Sequence, residues 1–308
     1  MIDPKPSTLA TRAAARVALV TCAELPGLDP DDRLVVAPLA ARGIAAEPAG
    51  WDDPAVDWTG YDLVVLRSAW DYPGRLDAFV RWASAVGSRL ANPADVVVWN
   101  TDKRYLDALA AAAVPVVPTV WVAPDRPTWA PPYSGDVVVK PAVGAGSIDT
   151  GRYDLASPRH RPLAVAHVDR LLAAGRTAMV QPYLSTVDSY GETAVVYLGG
   201  RYSHAVRKGP MLDGPAVDEP GLYRPEEITP RVPSGAERAV ADAALAAVPG
   251  GAGRLLYARV DLIPGPDGAP VVVELELTEP SLFLSTAGGA AERFAGAVAD
   301  RIGARTGR

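Results

Sequence analysis

The sequence predicts an α/β (α+β) fold, in which a parallel-sheet domain comes first and antiparallel strands follow it. Up to about Ala113, short apolar runs alternate with segments of helical spacing, as in a parallel, Rossmann-like sheet. From Val114 onwards, prolines and β-branched residues become frequent, and several strands follow one another directly. Two pairs of these later strands flank glycine-containing turns, which is typical of antiparallel hairpins.

The composition limits the size and the class of the protein. The 308 residues are 49% apolar and 21% charged, which suffices for two domains with buried cores and excludes global disorder. The net charge is −6 and no basic stripe is visible, so we expect no nucleic-acid partner. Because Cys22 is the one cysteine, an intramolecular disulfide and a cysteine zinc cluster are excluded, and we expect it to be a packed residue.

The sequence also carries no membrane or export signal. No apolar run approaches the roughly 18 residues that a transmembrane helix needs. The first residues are polar and lack the apolar centre of a secretory signal. We therefore expect a loose leader over residues 1–15 and a soluble, cytoplasmic protein with no membrane partner.

The elements of the first half follow from apolar runs and a helix-capping signal. Continuous apolar runs predict strands that are buried on both faces, and the Asp-Pro-Asp-Asp segment at 29–32 predicts a helix start. The predicted strands cover residues 16–20, 44–49 and 61–67, the predicted helices cover 29–42 and 76–86, and residues 91–93 form an extended link. Together they define an N-terminal Rossmann-like domain over residues 16–113.

The second half is predicted to be rich in strands. Gly199 and Gly200 separate two strands by a tight turn, and residues 264–268 form a second turn. The predicted strands cover residues 137–140, 178–181, 193–198, 201–207, 255–263 and 271–277, and the predicted helices cover 237–247 and 290–302.

The last hairpin carries three acidic residues inside otherwise apolar strands. Glu274 and Glu276 are two residues apart, so both side chains lie on one face, and the short turn brings Asp261 near Glu274. Such carboxylates should repel one another and be costly to desolvate. The pattern favours a magnesium site that holds the ion against phosphates. The alternative is a solvent-facing polar strip on an edge hairpin.

Candidate phosphate-binding groups precede these acids. Lys140 ends an apolar strand and is followed by Gly144, Ala145, Gly146 and Ser147, whose backbone N–H groups can close over phosphates. The loop is not a Walker A motif, and a lysine at a strand end is often merely solvated. Lys103 is equally ambiguous, because charged residues often open a helix.

Two further segments have the chemistry of a nucleotide site. A strand that stops at a proline can offer free backbone groups and apolar walls to an adenine edge, although a plain domain hinge explains it equally well. The residues of this segment are Val180, Gln181, Pro182, Tyr183 and Leu184. Arg207 can bridge a phosphoryl group and a carboxylate, because a guanidinium suits both geometrically.

The loop after the third strand is the candidate substrate site, since ligands bind beyond the C-terminal ends of parallel strands. It joins a cation, a hydroxyl, an indole and a carboxylate: Arg67, Ser68, Trp70 and Asp71. Arg67 could meet a carboxylate, Asp71 an ammonium group, and Trp70 could form a wall, which suits a small amino acid. The alternative is a helix cap with Trp70 packed below it. His204 is a candidate for a substrate or proton-transfer role, while the histidines at 160 and 167 are expected at the surface.

Taken in order, these segments resemble the ATP-grasp superfamily, in its glutathione-synthetase-like branch, from about Arg16 to Ile302. The resemblance implies three subdivisions: a pre-ATP-grasp domain over 16–113, a subdomain with the phosphate loop over 114–182, and a C-terminal subdomain with the magnesium site over 183–308. It implies that ATP and Mg²⁺ are cofactors. It assigns the ATP phosphates to Lys103, Lys140 and the loop 144–147, adenine to 181–184, the transferring phosphate to Arg207, and magnesium to Asp261, Glu274 and Glu276. The family often has asparagine at the last of these positions.

Four segments are similar to a narrower group, the D-cycloserine synthetases, which are O-ureido-D-serine cyclo-ligases. They cover residues 20–26, 67–73, 99–105 and 274–281. The similarity implies that ATP phosphorylates the carboxylate of a small amino acid and that an amine of the same molecule attacks the acyl phosphate.

Other functions remain open at this point. An intermolecular amino-acid or peptide ligase, a kinase that releases its phosphorylated product, and a non-catalytic ATP-binding protein are compatible with the same fold. Dimers are common in this superfamily, so a homodimer is a further option.

Overall fold

The computed structural model describes residues 14–127, 134–216 and 221–306, and these residues form three sheets. Most of the predicted leader, residues 1–13, lies outside the described part. The ATP-grasp fold predicted from the sequence is consistent with one parallel sheet followed by two antiparallel sheets. The predicted domain boundaries stay predictions.

The first sheet is parallel, as predicted, with the strand order β2-β1-β3-β4. Strands β1, β3 and β4 are almost completely buried, which explains their continuous apolar runs, whereas the edge strand β2 is largely exposed. The strands are β1 (Ala15–Thr21), β2 (Ile44–Gly50), β3 (Leu63–Ser68) and β4 (Leu90–Ala91). The helices of this part are α1 (Pro30–Arg33), α2 (Val36–Ala40), α3 (Leu76–Val86), α4 (Ala94–Asn100) and α5 (Tyr105–Ala111).

The helix predicted over residues 29–42 is divided into two short helices. Asp29 caps α1 by accepting a hydrogen bond from the Asp31 amide at 2.9 Å, as the capping signal predicts. Pro38 lies in the first turn of α2, where its missing N–H has no intrahelical acceptor to serve. One continuous helix would need that N–H to reach the carbonyl of Leu34, so the helix ends before it and begins again.

The second sheet is antiparallel, with the order β5-β8-β6-β7. Its strands are β5 (Val120–Val122), β6 (Asp136–Pro141), β7 (Gly151–Asp154) and β8 (Ala178–Pro182). Helix α6 (His160–Ala173) packs on one face and was not predicted. The expectation that His167 lies at the surface is wrong, because it is buried between the Tyr153 hydroxyl at 2.8 Å and the Asp149 carboxylate at 3.1 Å.

The third sheet is also antiparallel, with the order β11-β10-β9-β12-β13. Both predicted hairpins are confirmed by its pairing. The strands are β9 (Glu192–Leu198), β10 (Arg201–Lys208), β11 (Ile228–Arg231), β12 (Tyr257–Pro264) and β13 (Pro270–Glu276). The helices are α7 (Val187–Tyr190), α8 (Gly235–Ala246) and α9 (Ala290–Thr306).

Strand β13 ends the third sheet, yet its outer edge is hydrogen-bonded to the first part of the chain. The Leu275 amide donates to the Tyr105 hydroxyl at 2.9 Å, and its carbonyl accepts from the Asn100 side chain at 2.8 Å. The Leu277 amide donates to the Asn100 side chain at 2.7 Å, and its carbonyl accepts from Asn92 at 2.8 Å. These side chains fix the strand with the two glutamates against the parallel-sheet domain.

The remaining features concern a thiol and the helix lengths. Cys22 is buried, as predicted, and burial raises the pKa of its thiol. No helix in the described part of the chain is long and apolar enough to cross a membrane.

Candidate active site

A cavity of about 420 Å³ lies where residues from all three sheets meet. Its walls come from the loop after β3, the loop after β6, the end of β8, and strands β10, β12 and β13. This arrangement places most of the predicted nucleotide-binding residues around one space, and it is the candidate active site.

The acidic residues of the last hairpin come together as predicted. In the register of β12 and β13, Asp261 lies opposite Glu274, and Arg259 lies opposite Glu276. Because residues two apart on a strand share a face, all four side chains lie on one side of the hairpin. Glu274 and Glu276 line the cavity, while Asp261 is 1% exposed and lies behind the wall.

The carboxylates are not bare, which corrects the expectation that they simply repel one another. Asp261 accepts from Arg259 at 2.8 Å and from the Lys208 ammonium at 3.0 Å. Arg259 also forms an ion pair with Glu276. Each buried charge therefore has a partner of opposite sign, as burial requires.

Glu274 lies between the two predicted lysines. Its carboxylate is 3.0 Å from the Lys103 ammonium and 3.9 Å from that of Lys140. Burial lowers the pKa of Lys103, but the attraction of Glu274 outweighs it, so the net shift is upward. Burial lowers the pKa of Lys140, and the positive charges of Lys103 and Lys208 add to that decrease. The positive charge of Lys140 is thus only partly balanced by nearby carboxylates, and an added anion would balance the rest.

The arginine predicted to contact phosphate does not line the cavity, whereas two other arginines do. Within the described residues, the cavity wall does not include Arg207, whose guanidinium donates to the Tyr190 carbonyl at 3.1 Å and lies 3.8 Å from Glu227. Side chains alternate along β10, so Lys208 faces the cavity and Arg207 faces away. Lys208, Arg224 and Arg259 line the cavity in addition to the two predicted lysines, and the sequence did not indicate these three. The signal for Arg259 was its position two residues before Asp261.

The glycine-rich loop after β6 borders the cavity, as predicted. Gly144, Gly146 and Ser147 line it, and the Gly144 carbonyl accepts from the Lys103 ammonium at 2.8 Å. Gly146 has φ +61°, and a Cβ atom there would lie 2.3 Å from the Leu222 carbonyl oxygen. Only glycine allows this close passage of backbone over the loop.

The predicted adenine segment is partly available to a ligand. Gln181, Pro182, Tyr183 and Leu184 line the cavity, whereas Val180 is fully buried in the core of the second sheet. The Tyr183 amide is not free, because it donates to the Asp136 carbonyl at 2.8 Å. Within the described residues, the Leu184 amide makes no hydrogen bond, so it is the free backbone donor of this segment.

Three of the four residues in the predicted substrate loop have structural roles instead. Arg67 is 1% exposed and donates to Asp32 at 2.9 Å, so it cannot meet a substrate carboxylate. Ser68 donates to the same Asp32 and is fully buried. The Asp71 carboxylate accepts from the Trp51 indole at 2.7 Å and pairs with Arg75, which removes it as an ammonium site.

Trp70 does line the cavity, and it also takes part in a set of contacts that hold residues 279–281. Trp70 donates to the Glu279 carbonyl at 2.9 Å, and Arg67 donates to the Pro280 carbonyl at 2.8 Å. Arg259 donates to the Ser281 carbonyl at 3.0 Å. Three consecutive carbonyls are thus fixed by side chains from two parts of the molecule.

His204 is also a structural residue. It is buried, its Nε2 donates to the Leu282 carbonyl at 2.8 Å, and its Nδ1 lies 2.9 Å from the Ser203 hydroxyl. Burial lowers its pKa, so the ring is held neutral. It does not line the described cavity, which argues against the predicted role in proton transfer or substrate binding.

The donor set fits a metal ion only when it is shared with phosphates. No three Asp, Glu, His or Cys side chains among the described residues lie close enough to form a complete protein site. Glu274 and Glu276 do offer carboxylate oxygens on one face. Mg²⁺ is usually bound by one or two carboxylates together with substrate phosphates, so these residues fit it in the presence of a nucleotide.

Comparison with known proteins gives consistent results. The family model described as the N-terminal domain of D-cycloserine synthetase DcsG matches residues 17–92. The cycloserine biosynthesis protein DcsG of Streptomyces lavendulae is 41% identical in an alignment of 303 residues that covers 93% of this chain and 98% of that protein. The crystal structure of D-cycloserine synthetase DcsG superposes with a TM-score of 0.84 at 39% identity, over 94% of this chain and 100% of that one.

More distant structures share the fold. The ATP-grasp ligase PsnB in complex with minimal precursor, Mg and ADP has a TM-score of 0.58 at 18% identity, over 94% of this chain and 97% of that one. The D-alanine–D-alanine ligase of Bacillus anthracis in complex with ATP has a TM-score of 0.59 at 14% identity, over the same shares. The predicted ATP-grasp fold is therefore confirmed.

Proposed function

This chain belongs to the D-cycloserine synthetase family of ATP-grasp ligases, and we propose that it closes the ring of D-cycloserine from O-ureido-D-serine. It is an ATP-dependent ligase that forms a carbon–nitrogen bond. The observation that carries the proposal is the convergence of Lys103, Lys140, Lys208 and Arg259 on one cavity with Glu274 and Glu276.

The nucleotide is proposed to lie along the second sheet. The free Leu184 amide suits the adenine edge, and the apolar side chains of the same segment suit its faces. Lys140 and the loop 144–147 are placed for the phosphates, since an anion there would compensate the under-paired ammonium of Lys140. These residues hold ATP with its γ-phosphate towards β12 and β13.

The first chemical step joins the substrate carboxylate to the γ-phosphorus. The bond to the β-phosphate oxygen breaks, so that an acyl phosphate and ADP form. Arg259 and Lys208 stabilise the charge on the moving phosphoryl group by preorganised contacts, and no protein nucleophile is needed. When bound, magnesium would neutralise the phosphates, with Glu274 and Glu276 as its protein ligands and Asp261 beside them.

The second step closes the ring. The oxygen-bound nitrogen of the substrate attacks the acyl carbon and loses its proton to solvent, and inorganic phosphate leaves. Water then cleaves the bond between this nitrogen and the carbamoyl carbon, which completes D-cycloserine and releases carbamate, the source of ammonia and carbon dioxide. Because both reacting groups belong to one molecule, the protein needs to bind only one amino acid beside ATP. An intermolecular ligase would need space for a second amine in the same cavity.

The test is a reaction with O-ureido-D-serine, ATP and Mg²⁺, with and without a second amino acid. ADP is measured enzymatically and the ring product by mass spectrometry, with Lys140→Ala as the matched variant that lacks one phosphate-binding cation. Ring product without added amine supports the proposal. ADP release only when a second amino acid is present would show an intermolecular ligase. No ADP with any amino acid of a panel would favour an ATP-binding protein without activity.

A further inference from the structure

Glu279 differs from every other acidic residue on the wall of the cavity. The acidic residues that line it within the described chain are Asp29, Asp31, Glu192, Glu226, Glu274, Glu276 and Glu279. Among the ion pairs of the described residues, none involves Glu279. The Tyr72 hydroxyl acts to lower the pKa of Glu279.

The partners of the other acidic side chains are already present in the protein. Glu192 and Glu226 lie 3.2 and 3.4 Å from the Lys208 ammonium. Asp29 caps α1, and Asp31 accepts two backbone amides at 2.7 and 2.8 Å. Glu274 and Glu276 face lysines and Arg259. Glu279 forms no ion pair among the described residues, and the attraction of Lys103, which is already paired with Glu274, only partly offsets its burial.

The surroundings of Glu279 suit a small organic cation. Trp70, which donates to the Glu279 carbonyl, and Tyr72 line the same cavity, and aromatic faces attract ammonium groups. Burial, with the negative charge of Glu276 adding to it, raises the pKa of Glu279 to about 8. A cation bound beside it would reverse that shift and restore the charge.

The position of Glu279 is also fixed. Its carbonyl and the next two accept hydrogen bonds from Trp70, Arg67 and Arg259, as described above. Arg259 also contacts Asp261 and is one of the two residues, with Lys208, that are proposed to stabilise the transferring phosphoryl group. A ligand group bound by Glu279 would therefore be held at a fixed position relative to that phosphoryl group.

We propose that Glu279 binds the α-ammonium group of the amino-acid substrate and so determines specificity for α-amino acids at this site. The inference rests on the proposed function, since it assigns one group of the substrate to one residue. Glu279 takes the role that the sequence suggested for Asp71, whose carboxylate is already bound to Trp51 and Arg75. Glu279 is thus a specificity-determining residue, and Trp70 and Arg67 are positioning residues that hold it.

The test compares two substrates in two variants. The substrates are O-ureido-D-serine and its analogue with hydrogen in place of the α-amino group, and ADP release gives kcat and KM for each. Glu279→Gln keeps the shape and removes the charge, and Glu292→Gln, on an exposed part of α9, is the matched control. Glu279→Asp tests partial rescue.

The expected result is specific to one substrate. Glu279→Gln should raise the KM for O-ureido-D-serine about 10- to 100-fold, the loss of one charge-assisted contact, and leave the KM for ATP unchanged. The analogue should react equally poorly with wild type and variant, and the aspartate should restore part of the affinity. Unchanged KM for O-ureido-D-serine overturns the inference. A raised ATP KM and magnesium requirement instead would make Glu279 a metal ligand and also overturn it.

Failure of the proposed function gives a different pattern. If wild type releases ADP with another amino acid, the same comparison is made with that amino acid and its deamino analogue. If no substrate turns over, calorimetry with O-ureido-D-serine and a non-hydrolysable ATP analogue supplies the readout. Binding that the glutamine variant loses supports the inference, while equal binding, or no binding by wild type, overturns it.

Discussion

Replacing Glu274 with glutamine should destabilise the nucleotide-free protein. Its carboxylate is 3.0 Å from Lys103 and 3.9 Å from Lys140, and the three side chains are 23%, 9% and 12% exposed. Without the charge, two largely buried ammonium groups repel each other with no partner between them. Breaking a buried pair costs about 3–5 kcal/mol, and water access to Glu274 reduces this to about 2–3 kcal/mol.

The assay is thermal unfolding with and without ATP, in EDTA so that no metal takes part. For a chain of this size, the expected loss corresponds to a Tm lower by about 3–5 °C in Glu274→Gln. ATP should raise the Tm of the variant more than that of wild type, because its phosphates replace the missing carboxylate beside Lys103 and Lys140. Glu292→Gln, an exposed substitution, should leave Tm unchanged.

Two results would refute this reasoning. An unchanged Tm in the nucleotide-free variant would show that the lysines do not depend on Glu274 for their charge. A smaller ATP-induced rise than in wild type would show that the carboxylate helps to bind the nucleotide even without metal.

Three further predictions concern single residues. Arg259→Ala should lower kcat about 100-fold or more because it removes a guanidinium from the cavity, whereas Arg207→Ala should change kcat less than about threefold. The reverse order in the ADP-release assay would contradict the assignment of Arg259 to the transferring phosphate. Gly146→Ala should weaken ATP binding, measured by calorimetry, because its Cβ atom would meet the backbone of Leu222. Gly74→Ala is the control, since its Cβ atom would meet nothing within 4 Å. Equal ATP affinities in the two variants would argue against a role for the close backbone contact at Gly146. The pKa of Glu279 is about 8 in the folded protein against 4.5 normally, so the folded state binds more protons than the unfolded state between these pH values. The stability of the ligand-free protein should therefore fall as the pH rises from about 4.5 to 8, and Glu279→Gln should make the fall in Tm shallower. A slope of Tm against pH that is the same in both proteins contradicts this prediction.

The fold could be predicted where burial leaves a clear pattern in the sequence. The central strands of the parallel sheet, β1 and β3, contain continuous apolar runs because they are buried on both faces, and the hairpins carry glycine turns. Helix α6 has no such pattern, since Leu163 and Val165 are exposed while Ala164 and His167 are buried. Its apolar residues therefore lie on both faces of the helix, and the sequence shows neither the 3.6-residue period of a helix nor the two-residue period of a strand.

The site could be predicted in part for a similar reason. Acids and lysines inside apolar strands are conspicuous, so the sequence indicates Glu274, Asp261 and Lys140 as candidates. Arg207 and Lys208 are neighbours on one strand, and only one of them can face the cavity. The register of β10 shifts between Tyr202 and His204, so counting from the hairpin turn does not give the orientation. Roles that depend on distant partners, such as that of Arg67, had no local signal.

The side chains that bind the outer edge of β13 bear on whether another strand can add to this sheet. An exposed edge strand can template another strand, but here the groups at Leu275 and Leu277 are satisfied by Asn92, Asn100 and Tyr105. The opposite edge is β11, a four-residue strand that contains Pro230, which cannot donate to a neighbour. Both edges of the five-stranded sheet thus resist strand addition, so self-association by sheet extension is disfavoured. A homodimer would have to form through side chains on another surface.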